Sequence, residues 1–276
     1  MTRVASPLLL MFFALSSAVN AKAQEPDPPV ANPGRPTVST PAALTPVGYL
    51  QFETGFVGAG DSPEFTSRYS VVSVVKLSLA PRLEVLTSVE PIAHFTAEGS
   101  TRNATADYFL GAQGLFLRGQ GSKPTLAVSY FHRLYDGAAP EPDFGSPTNS
   151  FSLLASADLK GFHYDANAFF NELVKNSVAR LQYGQSLTLS HPLPHAFTVS
   201  GEIWRFTQPF LHGNALGNLW SVSYAARKTL VFDVGFNHGL TGTSTKWEVL
   251  CGLTYLLPHR LWPVRQTEPH RDRALR

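Results

Sequence analysis

The chain has 276 residues, 43% of them hydrophobic, 15% charged and 12% aromatic, with 21 Gly, 21 Pro, a single Cys and a formal net charge of +2. So little charge beside so many aromatics excludes a disordered chain, one Cys excludes a disulfide scaffold, and the Gly and Pro content excludes a coiled coil. No basic block precedes the short tail after Pro258, so no nucleic-acid partner is expected.

The N-terminus opens with Arg3, an apolar stretch from Val4 to Ala18, and small residues at Ala21 and Ala23. This order predicts a secretory signal peptide over residues 1–23, cleaved after Ala21 or Ala23. The apolar run is shorter than the roughly 20 residues of a spanning helix, which argues against an uncleaved anchor. Residues 24–46 hold Pro26, Pro28, Pro29, Pro33, Pro36, Pro41 and Pro46. Such a segment joins neither a helix nor a sheet ladder, and reads as a linker, a periplasmic tail or a plug.

From Val47 onward apolar residues alternate in segments of about ten residues, the period of a strand. Twelve segments are expected, at 47–57, 67–79, 83–93, 106–117, 125–135, 150–160, 162–171, 178–189, 196–206, 218–227, 229–238 and 246–257. When the more apolar parity of each is taken as outward, the charges fall on the other. Glu53, Arg68, Lys76, Glu84, Glu90, Asp107, Arg133, Asp158, Asp165, Arg180, Glu202, Arg227, Asp233 and Glu248 face inward, and only Arg205 lies on the apolar side. Tyr69, Tyr108, Tyr164, Trp220, Trp247 and Tyr255 lie on the apolar face, several close to strand ends, as interfacial girdles do. A soluble sandwich would keep such aromatics mid-strand in its core.

Connections after odd-numbered segments are long (58–66, 94–105, 136–149, 172–177, 207–217, 239–245), and most of those between are tight, as at Ala80-Pro81-Arg82 and Lys160-Gly161. Long loops on one rim and short turns on the other are the pattern of an outer-membrane barrel, with both termini in the periplasm. Unpaired backbone groups cost several kcal/mol in hydrocarbon, so the sheet must close. The expected fold is therefore all-β, a closed antiparallel transmembrane β-barrel of about twelve strands over residues 47–257, behind an N-terminal signal peptide and followed by a polar periplasmic tail over 258–276. Its last strand, Trp247 to Leu257, carries Gly252, Tyr255 and Leu257, an imperfect version of the terminal signal read by the barrel-insertion machinery, the expected assembly partner.

The inward parity places Glu53, Arg68, Lys76, Glu84, Glu90, Asp107, Arg133, Asp165, Arg180, Glu202, Asp233 and Glu248 in the lumen as selectivity candidates, either as charge rings or as a pairing network that fills a narrow barrel. Arg133, Arg180, Glu84 and Glu90 are the constriction candidates. Phe109, Phe131, Phe169 and Trp204 share that parity, and could line a path for apolar solutes, fill a dry interior, or signal a bulge that reverses parity. No catalytic constellation is found: Ser129 and His132 point to opposite faces, and the pair His163 and Asp165 has no Ser beside it in sequence. The nine His are scattered and His191 with His195 lack a third ligand, so no metal and no cofactor are expected. Cys251 falls on the lipid-facing parity.

Three stretches resemble the outer-membrane transporter family named for the MetA pathway of phenol degradation. They are Arg35-Pro36 followed by Pro46-Val47-Gly48-Tyr49-Leu50-Gln51-Phe52-Glu53-Thr54-Gly55, then Leu77-Ser78-Leu79-Ala80-Pro81-Arg82-Leu83-Glu84-Val85, and Phe232-Asp233-Val234-Gly235 with Gly239-Leu240-Thr241-Gly242. Asp107 to Gln113 looks like the family's fourth strand, whereas residues 135–215 match little, and Thr37 stands where the family has Asp. The resemblance implies a bacterial outer-membrane channel or transporter for small solutes, aromatic ones among them, and no catalytic residues. The expected mechanism is passive diffusion, with loops 94–105 and 136–149 gating the outer mouth and residues 24–46 reaching into the periplasmic one. The partners are then outer-membrane lipid and small solutes. The rivals are a structural or adhesive barrel with a closed lumen and a lipid-acting barrel enzyme.

Overall fold

The computed structural model describes residues 29–262; the expected signal peptide and most of the C-terminal tail lie outside them. The strands are β1 (Leu50–Gly60), β2 (Ser67–Ala80), β3 (Leu83–Ala97), β4 (Ser100–Ala104), β5 (Tyr108–Leu117), β6 (Thr125–Tyr135), β7 (Pro147–Leu159), β8 (Phe162–Lys175), β9 (Val178–Leu193), β10 (Phe197–Gln208), β11 (Gly213–Arg227), β12 (Leu230–Gly239) and β13 (Trp247–Leu256). Every one pairs antiparallel with its neighbours, and β1 pairs with both β2 and β13, so the sheet closes. Twelve strands form the ring. The thirteenth, β4, is a short hairpin partner of the far end of β3, outside the ring.

That hairpin corrects the expected loop at 94–105, and its cause is local. Opposite Val71 and Ser73 of β2 stand Ile92 and Val89, so Glu90 and Pro91 form a bulge in β3. Pro91 has no N–H to give a ladder, and the bulge reverses the inward parity beyond it, from Glu84, Leu86 and Glu90 to Ala93 and Phe95. Before the bulge β3 pairs with β5; after it, with β4. The expected loop at 172–177 is also corrected: β8 and β9 run on to a turn of Asn176 and Ser177, both with positive φ. The connections at 81–82, 118–124, 160–161, 194–196 and 228–229 share the rim where the chain enters β1 and leaves β13, here the near rim.

The exterior is the inverse of a soluble protein's. Trp220 is 61% exposed, Ile203 52%, Val234 50% and Phe236 46%, whereas Arg68, Lys76, Glu53, Glu84 and Gln51 face inward and are almost wholly buried. A continuous apolar outer face of this extent is a lipid surface. Cys251 is exposed on it.

Candidate functional site: the lumen

The lumen is not filled by strand side chains alone. Residues 29–46 enter it from the near rim and touch most of the inner wall, held mainly by their backbone N–H groups. The amide of Gly34 donates to the Glu53 carboxylate at 3.1 Å, and Asn32 N–H to Gln51 Oε1 at 2.8 Å, both on β1. On β10 the Glu202 carboxylate accepts from Val38 N–H at 2.8 Å and from the Ser39 amide and hydroxyl at 2.6 Å each. The Thr40 amide reaches Asn167 of β8 at 2.5 Å and the Ala42 amide reaches Ser156 of β7 at 2.8 Å. Thr45 closes the circuit, its amide 2.8 Å from the Glu84 carboxylate of β3 and its hydroxyl bonded to the same group. A proline-rich stretch has few ladder options, so its remaining amides take side-chain acceptors on the wall, carboxylates for Gly34, Val38, Ser39 and Thr45 and neutral groups for Asn32, Thr40 and Ala42.

One stretch of this segment brings the separated sequence motifs together. The Arg35 guanidinium lies over Gly55 of β1 and Gly252 of β13, where a Cβ would collide with it, and 3.6 Å from the Asp233 carboxylate of β12. Pro36 lies over Gly235, where a Cβ would stand 3.1 Å from its Cγ. Gly55 and Gly252 are register partners, as are Gly252 and Asp233. The motif residues Arg35-Pro36, Gly55, Asp233 and Gly235 thus form one contact, although they span most of the chain.

The loop at 136–146 enters from the far rim. Its Asp143 carbonyl accepts from Gln208 at 2.6 Å and Gln182 at 3.4 Å, and its carboxylate accepts the Thr245 amide at 2.8 Å. Phe144 stands edge-on to Phe169 and Phe206, with ring centroids 5.7 and 5.2 Å away. Phe169, Trp204, Phe206 and Ala215 form a buried inner cluster, and both Phe144 of the loop and Val38 of the N-terminal segment pack on it. The two insertions therefore meet on one aromatic wall. Gly184 and Gly217 admit the rings of Phe206 and Trp204, and the Trp204 indole N–H donates to Asn237 at 2.8 Å.

The expected lumen residues fall into groups. Lys76 pairs with Glu53 at 2.5 Å. Arg68 pairs with Glu90 and, at 3.4 Å, with Glu141 of the loop, while Arg133 pairs with Asp107 at 3.3 Å. Asp165 bonds Ser156 at 2.5 Å, and Glu248 accepts from Asn237 at 2.6 Å. Arg180 has the inward parity but is exposed at the far rim, its guanidinium 4.9 Å over the Phe210 ring. Phe169 and Trp204 are buried, whereas Phe109 and Phe131 are half-buried on β5 and β6 and belong to no part of the aromatic cluster. Asp158 and Arg227 lie exposed near the near rim and line a chamber of about 860 Å³. That chamber is bounded by residues 30–41 on one side and by Thr188, Ser190, Thr198 and Ser200 on the other. His163 opens on it with its two ring nitrogens 2.7 Å from Asp158 and 3.3 Å from Asp165, which leaves no free nitrogen to activate a hydroxyl.

Sequence reasoning missed Val38, Ser39, Asp143, Phe144 and Phe206. Inward-parity glycines carried a usable signal, because Gly55, Gly184, Gly217, Gly235 and Gly252 each sit where a side chain from elsewhere passes close to the wall.

Asp143 and Glu141 are loop residues outside the spanning strands, and burial acts on both. It pushes the Asp143 carboxyl up to about 7, with the nearby Glu248 charge adding to it. It pushes Glu141 up to about 8, against the opposing pull of Arg68. One Asp143 oxygen, Oδ2, is buried without a hydrogen-bond partner.

No protein-family model matches the chain, and no curated protein sequence matches it. Solved structures do. The COG4313 outer membrane channel from Pseudomonas putida F1 is 11% identical, with a TM-score of 0.55 over 78% of this chain and 97% of that one. The KdgM porin is 9% identical, with a TM-score of 0.51 over 75% and 98%. The NanC porin is 8% identical, with a TM-score of 0.51 over the same shares. The chain has the closed, antiparallel β-barrel fold of these outer-membrane channels and porins.

Proposed function

We propose that the protein is a channel of the bacterial outer membrane through which small solutes diffuse, with residues 29–46 and 136–146 as its two gates. The near rim, with short turns and both ends of the barrel, is the periplasmic side, and the far rim with its longer loops is the outer side. The observation that carries the reading is how the lumen is closed. The occupants are chain segments docked by hydrogen bonds to inner-wall carboxylates and amides, and a chamber of about 860 Å³ persists beside one of them. Such a segment can leave the wall without unpacking the strand ladders that hold the barrel. The fold it shares with channels and porins supports the same reading.

Solutes able to stack are the preferred class, aromatic ones among them. Displacing Val38 and Phe144 would present Phe169, Trp204 and Phe206 to the path. The occupied lumen also favours a second reading, a closed structural barrel, and conductance separates the two. The folded mature chain in a planar bilayer is expected to give brief, small openings, and a chain lacking residues 29–46 long and larger ones. A folded deletion variant that stays silent would establish the structural barrel instead.

A further inference from the structure

The connections of the two rims differ in charge. Those of the near rim hold Arg82, Arg118, Lys123, Lys160 and Lys228, all exposed, and no Asp or Glu. Arg260, just beyond β13, adds a guanidinium stacked 5.3 Å from the Tyr49 ring. Among the described residues an exposed acid beside this rim, Asp158 near the end of β7, is bonded to His163. The far rim's loops are the reverse, with Asp61, Glu64, Glu98, Asp107, Asp136, Glu141 and Asp143 against Lys246.

We infer that the near rim is a binding surface for the headgroups of anionic phospholipids in the leaflet around it. The basic side chains are placed for this rather than scattered. Arg118 directly follows Leu117, which is 49% exposed on the outer face, and Lys160 directly follows Leu159, which is 47% exposed. Leu79, 43% exposed, is the last large apolar residue of the strand that leads to Arg82. Arg118 and Lys160 therefore stand one residue beyond a lipid-facing apolar side chain and Arg82 three residues beyond one, so a long stem can lie along hydrocarbon while its head stays in the interface, and Lys123 and Lys228 add their charge from the same rim. Basic groups at that level attract acidic lipids within a Debye length, and without acids in the same turns nothing cancels the attraction. A soluble acidic partner would need cations facing away from the bilayer, whereas Arg118 and Lys160 border the apolar exterior.

The inference rests on the membrane reading above. The test is native mass spectrometry of the mature full chain released from micelles holding equal phosphatidylglycerol and phosphatidylcholine. Wild type is expected to retain phosphatidylglycerol over phosphatidylcholine by about tenfold or more. A variant with Arg82, Arg118, Lys123, Lys160 and Lys228 all changed to Gln should lose that preference. A control carrying Arg102→Gln, Lys175→Gln and Lys246→Gln near the opposite rim should keep it. If the fivefold variant fails to fold, the pairs Arg82→Gln with Lys228→Gln and Arg118→Gln with Lys123→Gln should each lower the preference. Equal retention of the two lipids by wild type, or an unchanged preference in the folded variants, would overturn the inference. So would equal thermal stabilisation by inorganic phosphate and by phosphatidylglycerol, which would mark a free-phosphate site. A chain that conducts yet shows no lipid preference sinks this inference alone, whereas one that forms no barrel in detergent sinks the membrane reading.

Discussion

Ser39 gives both its amide and its hydroxyl to the Glu202 carboxylate, each at 2.6 Å, and so fixes the middle of the N-terminal segment to the wall of the lumen. Hydrogen bonds to a charged group contribute about 1.5–3 kcal/mol each, and every 1.4 kcal/mol is tenfold in an equilibrium. Glu202→Ala should therefore raise the ratio of open to closed time about tenfold or more in single-channel records. Glu202→Gln, which keeps one acceptor oxygen, should fall between the variant and wild type.

The contact of Pro36 with Gly235 makes a separate prediction. The nearest atoms a Cβ there would meet are Pro36 Cγ at 3.1 Å and Cβ at 3.4 Å, with Ser221 Cβ also at 3.4 Å. Gly235→Leu should push the segment from the wall while leaving the ladder of β12 with β11 and β13 intact. Limited proteolysis should then cut within residues 29–46 of the variant, with the heat-resistant barrel mobility on gels unchanged; wild type should resist cleavage.

Loop 136–146 should respond to pH. The Asp143 carboxyl titrates near 7 with the loop docked, against the ordinary value near 3.8, so the docked state holds more protons than the released one. The loop is held fully below about pH 4, and its hold weakens as pH rises toward 7 and then levels off. Glu141, raised to about 8, extends the same trend. Open probability should climb between pH 4 and 8, and Asp143→Asn should remove the Asp143 part of the climb and leave only the part that Glu141 contributes. A steeper climb in Asp143→Asn would contradict this account.

Because Phe144 and Val38 pack on the same cluster of Phe169, Trp204 and Phe206, the two gates are expected to be coupled. Phe144→Ala and Val38→Ala should each raise open probability, and their combined effect in a double-mutant cycle should depart from additivity by about 0.5 kcal/mol or more. Strict additivity would mean that the gates act independently.

The apolar exterior is tested by Val234→Arg on β12, which should destabilise the inserted barrel by about 2–4 kcal/mol if it sits near the midplane. Refolding titrations into vesicles read this directly.

Strand parity was legible because a sheet with one face in lipid and one in a polar lumen must alternate, which placed Glu53, Lys76, Glu202 and Asp233 on the inner wall. The bulge at Glu90-Pro91 was less visible: a proline in an alternating run signals a break but not its register. The entry of the proline-rich segment into the near mouth was one of the readings the sequence offered, but the wall residues that hold it were hidden for a different reason. Its bonds come from backbone amides, which every residue but proline carries, so nothing in the side chains of Gly34, Val38 or Ala42 names their partners. Phe144 was hidden because an aromatic in a loop rich in Pro and Gly has no periodicity to orient it, whereas Phe169 and Trp204 had the period of their strands.

The most direct test of a moving N-terminal gate uses the Ser39 and Ser186 hydroxyl oxygens, which lie 2.8 Å apart. In a Cys251→Ala background, Ser39→Cys with Ser186→Cys should form a disulfide that ties the segment to β9. Single-channel recording is predicted to show a silent barrel when oxidised and restored openings after reduction. Equal conductance in the oxidised and reduced states, with the disulfide confirmed by mass, would contradict the gate.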